Sequence, residues 1–130
     1  MEFNPREITV IYNMNKRGGR EALAYAKQIA EHTREIDVSQ QPLTRTQLAE
    51  LMQKLNIDVK ELVDQTNDLY QDKYEGVDME ENDWLEVLVH NPIMIKTPIG
   101  ILGDKAIICD LPNQILELDK GQGYDENLRT

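Results

Sequence analysis

Thiol chemistry, metal binding and anion capture are the three activities that the side chains of this 130-residue sequence could support, and the inventory for each is short. Cys109 is the only cysteine, which excludes an intramolecular disulfide and any Cys-x-x-Cys redox or zinc motif. The two histidines, His32 and His90, lie far apart in sequence, so no dedicated metal site and no bound cofactor is expected. The acidic run Asp64, Asp68, Asp72, Glu75, Asp78, Glu80, Glu81 and Asp83 lacks the alternating ligands and fixed glycine of a calcium loop and reads as a solvated face. No nucleophile, histidine and carboxylate set is discernible. What remains is the turn Asn15-Lys16-Arg17-Gly18-Gly19-Arg20. A glycine-containing turn opening a helix presents unpaired N–H groups, and three cations beside them suit an oxyanion or a peptide carboxylate. The same three residues can equally be ordinary surface cations.

The elements that must position this turn follow from periodicity. Glu7-Ile-Thr-Val-Ile-Tyr12 is rich in β-branched residues and reads as a buried strand. After the turn, Ala22, Leu23, Ala26, Ile29 and Ala30 recur at helical spacing and predict a helix over 19–32. Arg34 to Val38 alternates polar and apolar residues as a second strand, completing a βαβ unit. Thr44 is a candidate N-cap with Gln47 three residues on, followed by Leu48, Leu51, Met52 and Leu55 at helical spacing. Asp58 caps a shorter helix, Leu69, Tyr70 and Tyr74 mark another, and Trp84, Leu85, Leu88 and Val89 a fourth that must end before Asn91-Pro92. Gly103-Asp104 between Ile99–Leu102 and Lys105–Cys109 predicts a hairpin, and Ile115, Leu116 and Leu118 a closing helix. His32 and His90 read as cations near helix C-termini, Trp84 and the tyrosines as packing residues, and Cys109 as a buried structural thiol.

Composition bounds the function. Hydrophobic residues are 40% and charged residues 29%, as in soluble globular domains, and no stretch approaches the roughly 20 apolar residues of a membrane span. The N-terminus has no secretory pattern, so the cytoplasm is the expected location. The net charge of −10 divides into +1 over residues 1–60 and −11 over 61–130. Such a surface disfavours nucleic acid and anionic membranes, and leaves a protein partner with a basic surface as the expected kind.

The order strand, helix, strand, four short helices, hairpin and helix resembles the arsenate reductase and Spx family. The string WLEVLVHNPIMIKTPI from Trp84 to Ile99 is similar to the family's helix, Asn-Pro turn and strand leading to an Arg-Pro-Ile motif. Tyr12 before the first turn, Leu55-Asn-Ile, Leu62 and the Tyr70 and Tyr74 region add to it. The resemblance implies an α/β, thioredoxin-like mixed β-sheet with flanking helices and a helical insertion. A single domain over 1–120 would carry the insertion at about 44–90, followed by a flexible tail at 121–130.

The resemblance also implies a site that is incomplete here. Active members place a cysteine at the N-terminus of the first helix, where the helix dipole favours its thiolate. Arg17 falls near that position, and no neighbouring residue is a cysteine. Thr97-Pro98-Ile99 stands where the Arg-Pro-Ile motif is expected, without its arginine; Thr97-Pro98 resembles the cis-proline position of the thioredoxin fold. The expectation is a non-catalytic binding or regulatory member. Asn15 to Arg20 with Thr97 and Pro98 would form an anion- or peptide-binding site, glutathione would be one ligand, and RNA polymerase is the partner implied by Spx-type relatives. The alternative is an arsenate reductase or glutathione-linked thiol oxidoreductase that uses Cys109 or a partner's thiol.

Overall fold

The apolar run of β1 (Glu7–Tyr12) has side chains on both faces to bury, and both are covered in the computed structural model, which describes residues 7–120. Ile8, Val10 and Tyr12 point into one core with Ala22, Leu23 and Ala26 of α1 (Arg17–Ile29) and with Ile115 and Leu118. Ile11 points into the other, larger core, built with the insertion helices. A strand covered on both sides has no polar alternation, which is why this segment reads as continuous β-branched sequence.

The sheet has four strands in the order β2-β1-β3-β4. β1 pairs in parallel with β2 (His32–Asp37), from Glu7 opposite His32 to Tyr12 opposite Asp37. It pairs antiparallel with β3 (Ile99–Leu102), which turns through Gly103-Asp104 into β4 (Lys105–Ile108). The mixed sheet with helices on both faces is the expected thioredoxin-like arrangement.

Two boundaries move. α1 begins at Arg17, two residues before the expected start, because Gly18 and Gly19 form its first turn and not part of the loop. It ends at Ile29, and the chain is extended at Ala30, so that His32 and Thr33 can join the parallel ladder. His32 is therefore the first residue of β2 and not a helix-terminal cation. The apolar stretch after Pro92 is a short 3-10 turn, Pro92–Met94, and the closing helix starts as another, Pro112–Leu116, before α6 (Glu117–Lys120).

Four helices fill the insertion: α2 (Arg45–Leu55), α3 (Val59–Leu62), α4 (Asp68–Lys73) and α5 (Glu81–His90). Side chains three residues apart close the starts of the first two. Thr44 accepts from the Gln47 N–H while the Gln47 side chain accepts from Thr44, and at α3 the Glu61 side chain accepts from the Asp58 N–H at 2.8 Å. Trp84, 1% exposed, sits beside Tyr70 and Tyr74 at ring-centroid distances of 6.3 and 5.9 Å, with the Lys60 ammonium 5.5 Å from its ring. His90 lies in the last turn of α5 as expected, its Nδ1 2.8 Å from the Glu86 carbonyl oxygen. Among the described residues no helix is long and apolar enough to cross a membrane. The expected tail at 121–130 lies outside the described residues.

Candidate functional site

The turn after β1 is held from three sides. The Asn13 side chain accepts from the Asn15 N–H at 2.9 Å, and the Asn13 carbonyl accepts from the Lys16 N–H at 3.0 Å. Asp37, at the end of β2, accepts from the Met14 N–H at 3.1 Å and from the N–H and hydroxyl of Ser39. Burial would raise the Asp37 carboxyl, but the Ser39 hydroxyl and the two N–H donors outweigh it and hold the pKa below the usual carboxylate value. Helix and turn approach so closely at Gly19 that a Cβ there would lie 2.6 Å from the Asn13 carbonyl oxygen. Only glycine permits that contact.

The N–H groups of Arg17 and Gly18 have no acceptor among the described residues, as expected for a helix start. The three cations are placed differently from one another. Lys16 pairs with Asp64 of the insertion, Nζ to Oδ2 at 3.3 Å. Arg17 runs along the outside of α1 to Glu21 at 2.9 Å with its side chain 86% exposed. Arg20 donates from Nη1 to the Met14 carbonyl at 2.8 Å, closing the turn. All three are thus engaged within the chain.

Lys16 and Thr97 do meet, across a cleft of about 390 Å³ whose other lining residues are Asp64, Thr66, Lys96, Ile108, Cys109 and Asp110. The Thr97-Pro98 peptide is cis. Pro98 itself is tied to the hairpin, since the Cys109 N–H donates to the Pro98 carbonyl at 2.9 Å. The insertion is stitched to the same segment by a bridge between Val63 and Ile95, with Asp64 N–H to Met94 O at 2.7 Å and Lys96 N–H to Leu62 O at 2.8 Å. Asp64 then accepts from the N–H and hydroxyl of Thr66 at 3.0 and 2.6 Å. Burial raises its carboxyl; the Thr66 donors and the Lys16 ammonium more than reverse this, leaving the pKa below the usual value. Asp64 is a firm carboxylate facing Lys16.

Cys109 is 4% exposed and packs with Ile8, Val10 and Ala22 in the α1-side core. Burial, and then the carboxylates of Glu117 and Asp110, push its thiol up to about 12 from 9.0. A reactive thiol needs the opposite surroundings, cations or a helix N-terminus that favour thiolate. Tyr12 is similarly raised from 10.0 to about 12, by burial and by the Glu35 carboxylate to which its hydroxyl donates at 3.1 Å.

Of the residues expected at the site, Lys16 and Thr97 share the cleft, with Pro98 fixed beside it; Asn15, Arg17, Gly18, Gly19 and Arg20 build the turn and first helical turn without lining it. Thr66, Lys96 and Asp110 were not foreseen, and Asp64, expected on a solvated acidic face, is instead turned inward to pair with Lys16, its side chain 15% exposed. Cys109 was foreseen as a structural residue remote in sequence from the turn, yet the hairpin brings it to the cleft wall. Among the described residues no three His, Cys, Asp or Glu side chains gather as a metal site.

Residues 17–118 match the ArsC family profile. No curated protein sequence is a significant match. Among solved structures, a candidate arsenate reductase from Yersinia pestis is 28% identical with a TM-score of 0.78, the alignment covering 85% of this chain and 98% of that one. An arsenate reductase from Vibrio cholerae is 21% identical, with a TM-score of 0.78 over 88% and 98% of the two chains. An ArsC-related protein from Bacteroides fragilis is 14% identical, with a TM-score of 0.72 over 88% and 99%.

Proposed function

The chain belongs to the ArsC family, and from that membership we propose that it is a non-catalytic member, a binding or regulatory module whose cleft beside Lys16 and Thr97 takes an anionic or peptide ligand, glutathione among them. One observation carries the reading: the sole thiol, Cys109, is buried and its ionisation disfavoured, while α1 begins at Arg17, near the position at which the family resemblance calls for a thiolate. Reduction of arsenate or of a disulfide requires a thiolate that can reach the substrate.

The partner in this reading is a protein with a basic surface, RNA polymerase being the one that the Spx resemblance suggests. Support comes from the net charge of −11 carried by residues 61–130 and from the exposed Glu80 and Glu81 at the start of α5. Retention of RNA polymerase on the immobilised protein should be lost with Glu80→Lys and Glu81→Lys; retention indifferent to the reversal would remove this partner surface. The protein is expected in the cytoplasm.

The test of the central reading is turnover of arsenate and of a small disulfide by the purified protein, with glutathione or thioredoxin as donor, beside Cys109→Ser. No turnover is expected with either donor. A second reading, reduction through Cys109, is favoured by its place on the wall of the cleft that also holds Lys16 and Thr97. Turnover abolished by Cys109→Ser would establish that second reading and overturn the first.

A further inference from the structure

The charges around the cleft are unequally committed. Lys16 and Asp64 neutralise each other at 3.3 Å, and Asp64 is additionally held by Thr66. Arg17 and Arg20 are engaged outside the cleft, by Glu21 and by the Met14 carbonyl. Two lining residues are left whose charged groups form neither a hydrogen bond nor an ion pair among the described residues: Lys96 and Asp110. Both stand on fixed backbone. The Lys96 N–H donates to Leu62 O at 2.8 Å, and the Gln114 side chain accepts from the N–H groups of Asp110 and Leu111 at 2.6 and 2.8 Å. Their chain neighbours Thr97 and Cys109 line the same cleft, and the Cys109 N–H donates to the Pro98 carbonyl at 2.9 Å.

We propose that Lys96 and Asp110 form a two-point receptor for a zwitterionic ligand, an amino acid or short peptide, with Lys96 taking its carboxylate and Asp110 its ammonium group. The proposal rests on the reading of the cleft as a ligand site and names both the ligand's chemistry and the residues that select it. The four charged lining residues, Lys16, Lys96, Asp64 and Asp110, sum to zero. A multiply charged inorganic oxyanion brought to Lys96 would meet two carboxylates with no surplus of cations, whereas a zwitterion matches one free charge of each sign. The cation that matters is accordingly Lys96, on the segment leading into β3, and not the basic turn that the sequence draws attention to.

Amide shifts of the labelled protein, followed by NMR during titration with triglycine, acetate and inorganic phosphate, test this. Triglycine should shift Thr97, Cys109 and Asp110, and bind roughly tenfold more tightly than acetate or phosphate, the weight of one charge-assisted contact. Lys96→Met and Asp110→Asn should each weaken triglycine roughly tenfold, while the charge-matched control Lys73→Met leaves it unchanged. Lys96→Met binding like wild type, or phosphate binding more tightly than triglycine, would overturn the zwitterion receptor while leaving the cleft a ligand site. No response to any of the three probes would overturn both.

Discussion

Alkylation of Cys109 separates a structural thiol from a dormant nucleophile, and its expected rate follows from the structure. With a pKa of about 12, about one Cys109 thiol in 10⁵ is ionised at pH 7, against about one in 10² for the ordinary value of 9.0. Thiolate supply alone therefore slows the native protein about a thousandfold, and 4% exposure adds a steric barrier. Global unfolding offers a bypass, but a domain stable by about 5 kcal/mol is open only about one time in several thousand, so that route also gives roughly a thousandfold protection or more. Iodoacetamide incorporation at pH 7, followed by mass spectrometry, should thus be at least about a thousandfold slower in the native protein than in denaturing guanidinium chloride. Cys109→Ser supplies the blank. A native rate within tenfold of the denatured one would mean that the thiolate is formed and reached in the folded state, and the argument against thiol chemistry would fail at its first step.

Three other outcomes can be checked by thermal or denaturant unfolding. Thr9 is fully buried in β1 and its hydroxyl has no hydrogen-bond partner among the described residues, so Thr9→Val should stabilise by about 1 kcal/mol, some 3–5 °C in Tm; a fall in Tm would show that the hydroxyl is satisfied. Gly19→Ala should cost about 1–3 kcal/mol because its Cβ meets the Asn13 backbone. Gly18→Ala, whose Cβ meets only Pro112 Cγ at 3.6 Å, should be neutral or stabilise by up to about 1 kcal/mol, and equal effects at the two positions would contradict the close approach. Because Cys109 and Tyr12 both have raised folded-state values, their unfolded-state ionisation favours unfolding in alkali: stability is intact below pH 9.0, then falls as pH rises through 9.0 and 10.0 toward about 12. The limiting slope is about 1.4 kcal/mol per pH unit for each group, and Tyr12→Phe should flatten the decline between pH 10 and 12; an unchanged profile would refute the assignment.

The parts of this fold legible in sequence are those decided locally. Thr44 with Gln47, and Asp58 with Glu61, carry their helix starts in three-residue spacings, and β1 announces its double burial in consecutive β-branched residues. The start of α1 was misplaced because glycine signals a turn by its freedom, whereas Gly19 is needed inside the helix for its lack of a Cβ against Asn13. The parallel pairing of His32 with Glu7 was invisible for a different reason: no local pattern says how far a strand's partner extends. Cys109 sits between these cases. Once Gly103-Asp104 is taken as a two-residue hairpin turn, counting outward pairs Ile99 with Ile108 and brings Cys109 opposite Pro98. The cleft wall was within reach of that count. Asp64 was not, since its place depends on the bridge between Val63 and Ile95, two residues that nothing in the sequence joins.

The engagement of the basic turn bears on chemistry as much as on geometry. An enzyme acting on a multiply charged oxyanion must lower the energy of negative charge in its site, which takes cations free to turn toward the substrate. Here Arg17 reaches away along α1, Arg20 closes the turn, Lys16 faces a carboxylate that Thr66 holds ionised, and the charge of Lys96 is offset by Asp110 in the same cleft. Adding a cysteine at position 17 would place a thiol at the helix N-terminus without giving the cleft a surplus of positive charge. On the proposed non-catalytic reading, arsenate chemistry requires removing Asp64 as well: Arg17→Cys alone should show no arsenate turnover, and only a variant that also carries Asp64→Asn frees Lys16 for the oxyanion. Activity in the single variant would refute the cleft's charge balance as a barrier to the reaction.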